Sequence, residues 1–233
     1  MIFFVTGTDT DSGKTLISSA LLSSAKGKTC GFKPIASGCE ATPEGLRNSD
    51  ALALMAQANM VLDYQQVNPI SFAPAIAPHI AAMQIGQTLS AQQVTSHLIS
   101  QPLLQADFAL IEGAGGWLLP LGEQQYLSHS VIALNRHVQQ TQQLDVGVGV
   151  IIVVGMKLGC LNHALLTQLA IENDGLHIAG WVANQVDGNM SEIEANLASL
   201  QQMMHAPFLG YVPHLSCPSA ENAASYLDIA ALN

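Results

Sequence analysis

At 233 residues the chain is long enough to bury a sizeable core, and we expect residues 1–233 to form a single domain. Its net charge of −10, with only seven Lys and Arg, excludes a nucleic-acid-binding protein, which needs clustered basic residues. Hydrophobic residues make up 49% and charged residues 10%, so we expect a second copy of the chain to cover some apolar surface. The alternative is a chain that Gln, Asn, Ser and His keep in solution.

The sequence predicts neither a membrane segment nor a secretory leader. Its longest apolar stretch, residues 146–156, is about half of a membrane span and contains three glycines. The apolar run at residues 2–5 has no basic region before it and is too short for a signal peptide. The four cysteines show no metal-ligand spacing and indicate free thiols in a reducing compartment. We therefore expect a cytoplasmic protein.

Short apolar runs alternate with amphipathic windows along the chain, which is typical of a parallel sheet covered on both faces. The predicted strands are residues 2–6, 30–34, 108–112, 148–154, 178–183 and 208–211. The predicted helices are residues 15–25, 49–59, 90–104, 130–143, 161–172 and 191–205. Residues 68–86 contain three prolines and are predicted to form a long ordered surface loop. Right-handed crossovers then give an α/β fold, a three-layer, doubly wound and mostly parallel sheet.

The loop after the first predicted strand has the form of a phosphate-binding loop. It reads Gly-Thr-Asp-Thr-Asp-Ser-Gly-Lys-Thr over residues 7–15, so that a helix would begin directly after Gly13. Lys14 would reach the terminal phosphates, and the Thr15 hydroxyl would bind Mg²⁺. Five residues separate Gly7 from Gly13, one more than in the usual P-loop, and Thr8 stands where the first glycine is expected. The alternative is a tight strand-to-helix turn that contains Gly-Lys-Thr for other reasons.

Polar residues follow several of the other predicted strands, at the edge where parallel sheets bind ligands. Glu112 ends an apolar strand and is predicted to be a second Mg²⁺ ligand, because an unpaired carboxylate there would be costly. Asp50 is a further candidate ligand, or equally an acidic residue at the start of a helix. Lys33 follows the second strand and would hold an anionic acceptor or stabilise a transferring phosphoryl group. Its alternative is a surface lysine with a buried stem.

Several motifs, taken together and in order, resemble the dethiobiotin synthetase family. They are the longer phosphate loop and the segments at residues 31–38, 42–51, 112–117, 154–160, 180–184 and 221–224. The resemblance covers nearly the whole chain and implies a P-loop NTPase-like fold. It also implies an ATP-dependent ligase of biotin biosynthesis, with Mg²⁺ as cofactor and ATP as co-substrate. In that reaction CO₂ or bicarbonate and 7,8-diaminopelargonic acid give an N7 carbamate. ATP phosphorylates the carbamate to a mixed anhydride, and the second amine then closes a ureido ring.

The resemblance also implies a role for each site residue. Thr15, Asp50 and Glu112 would be the metal ligands, and Lys14 and Lys33 the catalytic lysines. The nucleotide would contact Asp11, Ser12, Gly13, Lys14, Thr15, Leu16, Asp50, Glu112, Gly113, Ala114, Gly115, Asn184, Gln185, Pro213, His214, Leu215 and Glu221. The substrate would contact Lys33 and Ser37, and backbone N–H groups of Gly159, Cys160, Leu161 and Asn162 from the partner subunit of a homodimer would hold its carboxylate.

The chain departs from the family pattern at three places. Ser12 replaces a valine, and Gln185 replaces an Asp, so that an amide able to donate and accept stands near the base. The segment 122–149 is longer than the family pattern predicts.

Three rival functions stay open from the sequence alone. A partition-type or cobyrinate-amidating ATPase would share the fold, but it usually carries a lysine where this chain has Thr8. A regulatory nucleotide-binding module would need no lysine on the acceptor side, in contrast to Lys33. A relative of the same pathway that acts on another diamine would share every motif.

Overall fold

The protein is described by a computed structural model that covers residues 1–186, 188 and 190–232. The strands are β1 (Ile2–Gly7), β2 (Thr29–Phe32), β3 (Ile35–Ser37), β4 (Glu40–Thr42), β5 (Gly45–Arg47), β6 (Ile70–Phe72), β7 (Phe108–Gly116), β8 (Pro120–Gly122), β9 (Gln125–Tyr126), β10 (Gly149–Gly155), β11 (Ile178–Asn184) and β12 (Phe208–Val212). Six of them form one parallel sheet in the order β12-β11-β10-β1-β7-β2. All six predicted strands are therefore confirmed, together with the mostly parallel sheet.

The helices flank this sheet on both faces. They are α1 (Lys14–Ser24), α2 (Ser49–Gln57), α3 (Tyr64–Val67), α4 (Pro78–Gln84), α5 (Ala91–Ser100), α6 (Leu127–Gln142), α7 (Cys160–Asn173), α8 (Ile193–Met203) and α9 (Ala220–Ala224), with short 3₁₀ turns at Leu103–Gln105 and Ile229–Leu232. In the part of the chain described here, none of them has both the length and the apolar character to cross a membrane.

Two apolar cores, one on each face of the sheet, hold the three layers together. Side chains of β1 alternate between them, so that Phe3 packs with α1, α2 and α9 while Phe4 packs with the layer of α4 to α8. Because both faces are covered, β1 reads as a continuous apolar run without polar alternation. The predicted three-layer, doubly wound arrangement is confirmed.

The structure corrects two predicted elements. Residues 68–86 are not a plain loop, because they contain β6 and α4, and β6 pairs with β3 beside the main sheet. The helix predicted for residues 90–104 ends at Ser100, since Gln101 precedes Pro102 and adopts an extended conformation. The segment 122–149 contains α6, whose Leu127, Val131 and Leu134 are buried in the core.

Two helices begin at the carboxyl edge of the sheet without a side chain to cap them. Gly13 precedes α1 with φ of 83°, and Gly159 precedes α7 with φ of 96°, both in the left-handed region that favours glycine. The first-turn N–H groups of such helices are available to an anion. Both helix starts follow adjacent strands, β1 and β10, and so lie near one another.

Candidate active site

The phosphate loop folds around the ammonium group of Lys14. Its Nζ donates to the carbonyl oxygens of Asp9 at 2.8 Å and Thr10 at 3.1 Å, and the Ser12 hydroxyl donates to the Asp9 carbonyl at 3.2 Å. The backbone N–H of Thr8 donates to Val153 O at 3.0 Å, which fixes the start of the loop against β10. The side chain of Lys14 is buried, and its ammonium is directed at the carbonyl oxygens of the loop.

Asn184, at the end of β11, closes the loop from the other side. Its buried side chain donates from Nδ2 to Ser12 O at 2.9 Å. A Cβ atom on Gly13 would lie 2.1 Å from that same Nδ2, so only glycine fits at this position. The structure therefore explains the second glycine of the loop by the close approach of Asn184 and by the positive φ.

A cluster of charged side chains lies beside the loop, with Lys33 just after β2, Glu112 within β7 and Asp50 in the first turn of α2. Lys33 Nζ contacts Glu112 Oε1 at 2.7 Å and Asp50 Oδ2 at 3.0 Å, and it donates to Gly113 O at 3.0 Å. The Thr15 hydroxyl donates to the same Glu112 oxygen at 2.9 Å. The side chains of Lys33 and Glu112 are 5% and 0% exposed, whereas that of Asp50 is 35% exposed. The residues predicted as metal ligands and the predicted acceptor lysine thus share one cluster.

The cluster changes the pKa of its members. Burial, followed by the charge of Lys33, lowers the pKa of Lys14 from 10.5 to about 8. Burial also acts to lower the pKa of Lys33, but Glu112 and Asp50 outweigh it and hold that pKa above its ordinary value. Burial acts to raise the pKa of Asp50, and Lys33 outweighs it and lowers that pKa. Lys33 and Asp50 are therefore charged at neutral pH.

The oxygen atoms of the cluster suit a magnesium ion that is also bound by phosphate and water. The Glu112 Oε2 atom is buried and has no hydrogen-bond partner within the described ranges, so this oxygen could coordinate a cation. Thr15 and Asp50 supply further hard oxygen atoms nearby. Within those ranges no three His, Cys, Asp or Glu side chains converge as a metal cage. In nucleotide sites Mg²⁺ usually has only one or two protein carboxylates as ligands, and phosphate and water supply the others.

A cavity of about 680 Å³ opens in front of these residues. Lys14, Thr15, Lys33, Asp50 and Glu112 line its charged side. Ser37 at the end of β3, residues 75–77 and Pro78, which begins α4, also line the cavity. The buried Ser37 hydroxyl oxygen has no hydrogen-bond partner in the described part of the chain, as for a group that awaits a ligand.

Other predicted site residues lie in two groups outside this cavity. The residues predicted for the base and ribose follow β11 and β12, where the Tyr211 hydroxyl donates to Gln185 Oε1 at 2.6 Å and His214 Nδ1 lies 2.8 Å from Val186 O. Pro213, Leu215 and Glu221 belong to the same part of the chain. The residues Gly159, Cys160, Leu161 and Asn162 form the start of α7 and are absent from the lining of this cavity.

The sequence reasoning missed two contacts of the site. The Asn48 side chain accepts from Ala51 N at 3.2 Å and caps α2, which leaves Asp50 in the first turn free to meet Lys33. The carboxylate of Asp9 forms an ion pair with Lys157 from the loop between β10 and α7. The preference of Asn for helix N-caps could have indicated the first contact. The second joins residues far apart in the sequence and has no local signal.

Comparison with solved structures supports the fold. The MinC:MinD cell division protein complex of Aquifex aeolicus matches with a TM-score of 0.54 at 12% identity, over 96% of this chain and 85% of that chain. The cell division ATPase MinD of Pyrococcus furiosus matches with a TM-score of 0.52 at 16% identity, over 92% and 84%. A sequence family described as an AAA domain matches residues 2–222. With the phosphate loop at the carboxyl edge of a parallel sheet, these findings place the chain among the P-loop nucleotide-binding proteins.

Sequence comparison narrows the class to one family. An ATP-dependent dethiobiotin synthetase, BioD, of Cellvibrio japonicus is 50% identical over 99% of this chain and 96% of its own length. The proteins of the same name from Pseudomonas aeruginosa PAO1 and Aeromonas salmonicida are 48% and 46% identical, over 97% and 99% of this chain. The chain belongs to the dethiobiotin synthetase family, and the resemblance drawn from its motifs is confirmed. The likeness to the two cell division structures, at 12% and 16% identity, shows the fold alone.

Proposed function

We propose that the chain catalyses ATP-dependent formation of dethiobiotin from 7,8-diaminopelargonic acid and CO₂ in the cytoplasm. The observation that carries this proposal is the position of Lys33, buried between Glu112 and Asp50 at the side of the phosphate loop. A protein that only binds nucleotide needs no buried lysine next to the terminal phosphate. Membership in the synthetase family supports the same assignment.

The proposed reaction has three steps. One amine of the substrate attacks CO₂, loses a proton and becomes a carbamate. A carbamate oxygen then attacks the γ-phosphorus of ATP, and ADP leaves. The second amine attacks the carbonyl carbon of the resulting mixed anhydride, which releases phosphate and closes the ureido ring. None of these steps needs a covalent bond to the protein, so its contribution is positioning and charge stabilisation.

The charged cluster supplies that stabilisation in this proposal. Lys14 holds the β- and γ-phosphates, and Lys33 holds the carbamate and the phosphoryl group as negative charge moves between them. Thr15, Asp50 and Glu112 would hold a magnesium ion, which neutralises phosphate charge when it is bound. The Ser37 hydroxyl, which faces the cavity, would bind the substrate near its amines.

The nucleotide base would lie beyond the loop, against the ends of β11 and β12. In this proposal Asn184 and Gln185 face the base, while Pro213, His214, Leu215 and Glu221 surround the base and ribose. Backbone N–H groups of Asp11 to Leu16 and of Gly113 to Gly115 would contact the phosphates. The bond from the Tyr211 hydroxyl supports an ordered Gln185 side chain at this position.

The substrate carboxylate would be bound by the partner subunit of a homodimer. The start of α7 has no side-chain cap, although the N–H of Cys160 already donates to Lys157 O at 2.9 Å, and Leu158, just before the helix, is 98% exposed. Leu166 and Leu169 of the same helix are also exposed, which supports a second copy packed on this face. Sedimentation of the purified protein tests the dimer, and Leu166→Glu should shift it toward the monomer.

ADP release by the purified protein tests the proposed function. We expect turnover only when ATP, Mg²⁺, bicarbonate and 7,8-diaminopelargonic acid are all present, with dethiobiotin identified by its mass. EDTA should abolish turnover, and excess Mg²⁺ should restore it. ADP release that is indifferent to the diamine would contradict the proposal and favour a partition-type ATPase. Turnover with a diamine of another chain length alone would favour the rival substrate.

A further inference from the structure

The phosphate loop contacts the neighbouring loop after β10 through a charged pair. Asp9 lies in the loop, and its carboxylate forms an ion pair with Lys157 between β10 and α7. The side chain of Lys157 is 45% exposed and that of Asp9 is 25% exposed. The carboxylate oxygens of Asp9 are nevertheless buried, and because an ion pair that buries a charge adds little net folding stability, stability alone does not account for this link between two loops.

The phosphate loop is also in close contact with the last residue of β10. Gly155 N donates to Thr8 Oγ1 at 3.2 Å, and a Cβ atom on Gly155 would lie only 3.0 Å from Ser12 Cα. Little space therefore separates the phosphate loop from the end of β10. Because the two segments are packed against each other, a displacement of the phosphate loop should also move the end of β10.

Asp9 connects the ion pair to the phosphate-binding lysine. Its backbone carbonyl accepts from Lys14 Nζ at 2.8 Å, while its carboxylate binds Lys157. A phosphate that attracts the Lys14 ammonium therefore changes the position of the Asp9 peptide as well.

Lys157 connects the ion pair to the first turn of α7. Its backbone carbonyl accepts from Cys160 N at 2.9 Å, and Gly159 O accepts from His163 N at 3.1 Å in the same turn. One residue thus binds the phosphate loop with its side chain and the start of α7 with its backbone.

We propose that Asp9 and Lys157 are positioning residues that couple nucleotide binding to the order of the first turn of α7. As far as it concerns what α7 binds, this inference rests on the proposed function, in which these N–H groups hold the carboxylate of a substrate in the partner subunit. Nucleotide in one subunit then prepares the substrate site of the other. The coupling is reciprocal, so substrate there also tightens nucleotide binding.

Hydrogen exchange of the amides of residues 160–163 tests the coupling without any substrate. The probe is AMPPNP with Mg²⁺, at a concentration that saturates each variant. In the natural chain we expect the probe to slow exchange by at least about fivefold, the lower end of typical coupling between sites. Lys157→Met and Asp9→Asn should each reduce this effect to less than about twofold, and the double variant should go no further. Lys157→Arg should retain the effect because it keeps the charge.

Lys26→Met is the matched control, since Lys26 is an exposed lysine in the loop between α1 and β2. It should keep the protection of the natural chain. Equal protection in Lys157→Met, or no protection in the natural chain, would overturn the inference. A Lys157→Met variant that no longer binds AMPPNP would also overturn it, because the ion pair would then belong to the phosphate site itself. A failure of diamine-dependent turnover would contradict the proposed function and leave this exchange experiment intact.

Discussion

Replacement of Lys33 by Met tests the charged cluster most directly. The variant removes the ammonium that contacts Glu112, Asp50 and Gly113 at 2.7 to 3.0 Å. Asp50 can turn to water, but Glu112 is fully buried and would keep an unpaired charge. Breaking one partner of a buried ion pair costs about 3–5 kcal/mol, so the unfolding free energy of the unliganded protein should fall by that amount. Urea denaturation followed by circular dichroism measures it.

Two further measurements separate this stability effect from catalysis. The double variant Lys33→Met/Glu112→Gln should recover part of the loss, with a coupling energy of about 0.5–3 kcal/mol, because the buried charge is removed as well. Turnover of Lys33→Met should fall by roughly 10²- to 10³-fold, as when a donor to a developing charge is lost, while nucleotide affinity is largely kept. Additive stability effects, or normal turnover in Lys33→Met, would refute this reasoning. Lys26→Met is the control for loss of a lysine in general.

Four other predictions follow from individual residues. Gly13→Ala should abolish nucleotide binding in a fluorescence titration, because its Cβ would meet Asn184, whereas Gly86→Ala, also at positive φ but with open space around it, should bind normally. The kcat/KM for ATP should fall above about pH 8 as Lys14 loses its proton, and this fall should be absent in Lys14→Arg; a flat profile in the natural chain would contradict the lowered pKa. Loss of the Lys14 proton contributes folding stability that increases as pH rises above about 8, whereas the Cys30 thiol, which burial keeps protonated with a pKa of about 12, opposes it above about pH 9, so between pH 8 and 9 the unfolding free energy should rise more in the natural chain than in Lys14→Met. Glu112→Gln should raise the Mg²⁺ concentration that half-saturates turnover by at least about tenfold, and an unchanged requirement would remove Glu112 from the metal site.

The main sheet could be predicted from the sequence because its strands are buried on both faces and read as continuous apolar runs. The short pairs β3–β6, β4–β5 and β8–β9 could not, since two or three residues carry no measurable periodicity. The same limit applies to α4, which has only seven residues and begins at a proline.

The site was predictable where a residue type is unusual for its local context. Glu112 at the end of an apolar strand and Lys33 before a proline both stand out from their neighbours in the sequence. Asp50 did not, because an acidic residue in a first helical turn is common, and only the family resemblance favoured a metal role for it. The ion pair of Asp9 with Lys157 depends on the tertiary fold alone. The assigned roles of these residues stay predictions until the variants are measured.

The contact of Lys33 with two carboxylates also has a consequence for the order in which ligands enter. The ammonium of Lys33 already offsets part of the negative charge of Glu112 and Asp50. A bare divalent ion would have to compete with that ammonium, so we expect its affinity for the empty protein to be weak. A triphosphate that arrives with its ion brings negative charge that the displaced ammonium can bind in turn. We therefore expect the metal ion and the nucleotide to bind together as one complex, and not the metal ion first.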